Sequence, residues 1–124
     1  MRVVPGILVG LLALIALPAI ADVDMEDADT ERKPLHTVIP EYPADARRDR
    51  VQGHVQVCFK ISRSGGPWRI AVRKSTHRVF ERPAIRAIRD STFVPLGPTE
   101  EVPSIKACRT FRFYLEPVPP DERG

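Results

Sequence analysis

Apolar and polar residues alternate most strictly in the middle of the chain. From Gly53 to Ser62, Val55, Val57, Phe59 and Ile61 fall on every second position, and His54, Gln56, Cys58 and Lys60 fill the gaps. Period-2 alternation in β-branched and aromatic residues predicts a strand with one buried and one wet face. Arg63-Ser64-Gly65-Gly66-Pro67 then predicts a hairpin turn longer than two residues. Trp68 to Ser75 returns as a second strand, with Trp68, Ile70 and Val72 alternating with Arg69, Ala71 and Arg73. The period changes at Glu81–Ser91, where Ile85 and Ile88 form one stripe with Ala84 and Ala87, and Arg82, Arg86, Arg89 and Asp90 point elsewhere. This is an amphipathic helix, and Pro83 restricts its start to Phe80 or Glu81. Leu96 to Pro103 is a proline-rich loop. A third strand follows over Ser104–Glu116: Ile105, Ala107, Phe111, Phe113 and Leu115 share one parity, and Lys106, Cys108, Thr110, Arg112 and Tyr114 the other. Arg109 falls on the apolar parity, which the pattern explains only as a position near the sheet margin or a bulge.

Ahead of the central strand, Ile39-Pro40 and Tyr42-Pro43 predict an extended lead with Val38, Ile39 and Tyr42 tucked in. Ala44–Val51 reads as a short helix beginning at Pro43 and ending through a left-handed glycine at Gln52-Gly53. The order is extended lead, helix, strand, strand, helix, strand. A right-handed crossover through the second helix sets the third strand beside the first. The predicted fold is therefore α+β: a three-stranded antiparallel sheet of order 2-1-3, two helices on one face, and an open outer edge on the third strand.

The N-terminal pattern is different. Val3 to Ile20 is almost wholly apolar behind Arg2, and Ala19-Ile20-Ala21 places small residues at the −3 and −1 positions of a signal-peptidase site. Residues 1–21 read as a signal peptide, with an uncleaved membrane anchor as the alternative. Six acidic and two basic residues over Asp22–Pro34 read as a flexible, solvated linker. The domain then covers residues 35–118, with a polar tail over 119–124. Export takes the chain out of the cytoplasm. In an oxidising compartment Cys58 and Cys108, the only cysteines, read as a disulfide. Both lie on the polar parity, so they can meet only if the first and third strands are neighbours.

Composition narrows the function. The chain has 124 residues, with 19 Lys+Arg against 16 Asp+Glu and a formal charge of +3, a mild excess that does not indicate a nucleic-acid binder. His36, His54 and His77 have no metal-ligand spacing, and there is no paired nucleophile and base and no phosphate loop. No catalytic, cofactor or metal site is expected, and the chain does not read as an enzyme.

An ordered set of short motifs resembles the C-terminal domain of the TonB family, whose members contact outer-membrane receptors in Gram-negative bacteria. The set comprises Pro40-Glu41-Tyr42-Pro43-Ala44-Asp45-Ala46 and Gly53 to Ile61 with Gly65 in the turn. Ser75, Phe80, Ala84, Ala87, Phe93-Val94-Pro95 and Phe111-Arg112-Phe113-Tyr114-Leu115 complete it. The resemblance implies a domain that binds an extended receptor segment, the TonB box, by strand addition to the third strand. It thereby implicates Arg109, Thr110, Phe111, Arg112, Phe113 and Tyr114, together with Ile39, Pro40, Glu41 and Tyr42 beside the Tyr-Pro pair. The expected partner is an outer-membrane receptor or another envelope protein, met in the periplasm, with the membrane touched only through the N-terminal segment if that segment is not cleaved. TonB itself carries a histidine in its membrane helix and a long Pro/Lys-rich spacer. Val3–Ala21 has no histidine, and the 13 residues in place of the spacer reach only about 45 Å. The alternatives are a short membrane-anchored energy transducer and a self-associating structural domain that forms a homodimer.

Overall fold

A computed structural model describes residues 19–28 and 32–117. The expectations for residues 1–18 and for the tail at 119–124 lie outside them. In chain order the elements are β1 (Ala19–Ala28), β2 (Pro34–His36), α1 (Ala44–Arg48), β3 (Gly53–Ile61), β4 (Pro67–Ser75), a 3-10 turn (Arg78–Phe80), α2 (Glu81–Arg89), β5 (Thr92–Phe93) and β6 (Ala107–Pro117).

The predicted core of the sheet is present: β4, β3 and β6 lie side by side and antiparallel. The sheet has four strands, however, not three, in the order β1-β6-β3-β4. Where the end of a signal peptide (to Ala21) and a solvated linker (from Asp22) were expected, Ala19–Ala28 form a ten-residue strand that runs antiparallel along the outer side of β6. The outer edge of the third strand is therefore covered by the chain's own N-terminal segment. The physical reason lies in residues 21–27. Ala21, Val23 and Met25 alternate with Asp22, Asp24 and Glu26, and Val23 and Met25 pack against the core. A second, two-stranded sheet pairs β2 with β5 and ties the extended lead to the segment after α2.

The core lies between the sheet and α2. Val55, Val57 and Phe59 from β3 meet Phe111 and Phe113 from β6, and Ala84, Ala87 and Ile88 of α2 cover them. The small alanines on the buried stripe allow the helix to approach the sheet closely, and each buried phenylalanine contributes about 2–3 kcal/mol of transfer free energy. The Phe80 and Phe113 rings stack at 4.3 Å, and Tyr42 meets both edge-on.

Two local expectations are corrected. The left-handed residue after α1 is Arg50 (φ 57°), not Gly53. Gly53 is needed for close approach: a Cβ there would sit 2.1 Å from Thr76 Oγ1. β4 also departs from simple alternation. Its register against β3 shifts twice, and Arg69 takes a left-handed backbone (φ 52°) at one of these bulges. The hairpin turn uses Gly65 at φ 100°, with its backbone bonded to Phe93 of β5.

Candidate strand-docking edge

β6 is the element on which the predicted partner contacts converge, and its sequence dictates two distinct faces. Arg109, Phe111 and Phe113 are buried on the core side, while Thr110, Arg112 and Tyr114 occupy the opposite face. β3 pairs along the inner flank, with Gly53 opposite Phe113 and Phe59 opposite Ala107. β1 pairs along the outer flank, with Ala21 opposite Leu115 and Asp27 opposite Arg109. On the core side Val23 faces Phe113 and Met25 faces Phe111. On the other face Asp22 accepts a hydrogen bond from the Tyr114 hydroxyl at 3.1 Å, and Arg112 Nη2 donates to Glu26 at 3.0 Å. These contacts fix the register of β1 by chemistry on both faces.

Arg109 explains the break in the apolar parity. Its guanidinium is 2% exposed and lies over the Phe93 ring at 5.6 Å. Nε and Nη2 both donate to the Asp27 carboxylate, the latter at 3.1 Å. Arg and Asp stand directly across the two strands, which gives the planar fork its two-point contact. A buried charge without a partner is costly, so this position on β6 demands a carboxylate on whichever strand lies beside it.

Hydrogen bonding and nearby charge perturb one phenol at this edge. The Tyr114 pKa is raised above its ordinary value, first by the hydrogen bond to Asp22, then by desolvation and by the negative charges of Asp22, Glu116 and Asp24. Tyr42 is also raised, by burial, with Arg50 opposing.

The structure separates the other predicted contact residues from this edge. Ile39 is 57% exposed, Pro40 is buried and Glu41 is exposed. All three line a groove against α2, together with Val79, Arg82 and Pro83. Tyr42 packs on Phe80 and Phe113, and its hydroxyl donates to the Val51 carbonyl at 2.6 Å. It is therefore a packing residue that touches β6 from the core side. Cys58 and Cys108 stand opposite each other on β3 and β6 and are disulfide-bonded, which ties the inner flank of β6 covalently to its neighbour. The contribution of Ala19–Ala28 was missed from sequence. The signal was the alternation of Ala21, Val23 and Met25, masked by the density of acids around it. Among the described residues there is no cluster suited to a metal ion.

Comparison with known proteins agrees with this architecture. Residues 39–115 match the family model described as the Gram-negative bacterial TonB protein C-terminal. Over 62 residues the chain is 39% identical to the protein tonB2 of Pseudomonas aeruginosa, a match that covers 49% of this chain and 23% of that protein. The chain thus spans under a quarter of the length of that relative. The solution NMR structure of the Pseudomonas aeruginosa TonB CTD superposes with a TM-score of 0.50 at 28% identity, covering 73% of this chain and 89% of the other.

Proposed function

Since the chain belongs to the family of Gram-negative bacterial TonB protein C-terminal domains, we propose that it binds an extended segment of an outer-membrane receptor or another envelope protein by strand addition at the outer edge of β6. The family is one of non-enzymatic interaction domains linked to TonB-dependent transport, and its homologues interact with outer-membrane receptors. The observation that carries the reading is the ten-residue antiparallel register between β6 and an extended segment lying outside the matched region. This backbone edge supports a full ladder with a strand of suitable sequence, and strand addition draws its affinity from that kind of main-chain pairing. The partner's backbone pairs with Arg109 to Tyr114, and side-chain selection falls to Arg109, Arg112 and Tyr114. Ile39, Pro40 and Glu41 form a separate contact beside α2.

In this reading the chain works in the periplasm after export and cleavage behind Ala21, leaving Asp22–Ala28 to cover the edge. Among the described residues no helix is long and apolar enough to cross a membrane. Mass spectrometry of the exported protein tests the cleavage, with Asp22 as the expected first residue and an intact Met1 as the result against it.

The binding test is amide NMR of the isotope-labelled chain titrated with the periplasmic N-terminal segment of an outer-membrane receptor. The expected shifts fall on Thr110, Arg112 and Tyr114 and on β1. Shifts confined to the α2 groove, or none at millimolar peptide, would refute strand addition here.

A further inference from the structure

Resting on that reading, we propose that the outer edge of β6 selects an extended antiparallel segment of pattern apolar–x–apolar–x–acid, and that Asp22–Ala28 of β1 is the chain's own resident of that site, which an incoming segment must displace. Three observations define the pattern. Val23 and Met25 sit two residues apart opposite Phe113 and Phe111, half-buried against the core, so the site takes two apolar side chains at alternate positions. Asp27 follows two residues later on the same face, and both its oxygens accept from Arg109. On the other face Asp22 and Glu26 meet Tyr114 and Arg112.

Arg109 supplies the selectivity. Its Nη1 has no hydrogen-bond partner among the described residues, and the whole side chain is 2% exposed. A strand with an apolar or amide residue at this register leaves a buried guanidinium unpaired, and a strand with a lysine there adds repulsion. The edge therefore discriminates by negative selection as well as by attraction. The resident is suited to being displaced. Its core-facing apolar side chains are only half-buried, its other face is water-exposed, and among the described residues it pairs on one side only. A partner that reproduces the acid and the apolar pair replaces these contacts one for one, so exchange turns on what the partner adds elsewhere against the chain connection that holds β1 in place.

The test uses the chain's own sequence as probe, a fluorescent peptide of Ile20–Ala28, and needs no receptor. In anisotropy titrations, the full chain carrying Val23→Lys, Met25→Lys and Asp27→Lys is expected to bind this peptide at least ten-fold more tightly than the wild-type chain. On that variant, the peptide with Asp27→Asn should bind at least ten-fold more weakly than the parent peptide. A second measurement reads the site directly. With excess unlabelled peptide, β6 amides of the same triple-lysine variant should gain hydrogen-exchange protection. Equal affinity for the two chains, indifference to the acid, or unchanged β6 protection in the variant at saturating peptide would overturn the proposal. So would a dimer dissolved by the peptide, because it would place the resident on a second copy. If the peptide behaves as expected and receptor segments do not compete with it, the selective edge stands and the receptor reading falls.

Discussion

Arg109 is a cation on a strand of phenylalanines, and it couples two segments separated by 82 positions. Asp27 is 36% exposed, so water offsets part of the cost of losing it. Asp27→Ala should destabilise by about 1–3 kcal/mol in denaturant unfolding. The same change made on top of Arg109→Met should have almost no effect, because no charge is then left stranded. Cys58→Ser opens a loop of 50 residues. It should lower the melting temperature, by at most the equivalent of about 4 kcal/mol in the chain-entropy picture, and leave far-UV circular dichroism unchanged. Tyr114 gives a pH signature. A raised phenol pKa means the fold favours the protonated form, so its contribution is intact below the ordinary value of 10.0 and is lost as pH rises through the raised one. Absorbance titration should show the Tyr114 midpoint above that value, and Asp22→Asn should bring it back toward it.

The elements are held unequally. β3 has a partner strand on each side and its core face is buried, whereas among the described residues β1 pairs along one flank, with half-buried apolar side chains. Hydrogen exchange should therefore reach β1 through local opening, and β3 only through global unfolding. A denaturant-independent rate in β3 and a denaturant-sensitive one in β1 would reverse that order. The β3–β4 turn is fixed by backbone rather than by side chains. A Cβ at Gly65 would lie 2.0 Å from the Phe93 carbonyl oxygen, and the residue sits at φ 100°. Gly65→Ala should cost about 1–3 kcal/mol in urea unfolding, since neither strain nor clash can be relieved by rotating a side chain.

At the scale of the whole molecule, the two outermost strands of the sheet among the described residues carry opposite charge. β1 presents Asp22, Asp24 and Glu26, and β4 presents Arg69, Arg73 and Lys74 with bulges that interrupt its ladder. Like edges repel, and the bulges spoil the pairing of unlike ones. Light scattering at physiological salt should return the mass of one chain. The β-strand alternation of residues 53–62, the amphipathic stripe of α2 and the meeting of Cys58 with Cys108 were all readable along the chain, because each rests on local period or parity. The reach of β1 was not, because Val23 and Met25 are stabilised as strand residues only by Phe111 and Phe113, far away in sequence. By itself the sequence determined the α+β class, the order of β4, β3 and β6, the covalent tie and the family resemblance. The tertiary structure alone decided that the outer edge of β6 is covered, by which segment and in what register. Cross-strand pairing and the burial of Arg109 depend on which distant residues become neighbours, and no local pattern encodes that.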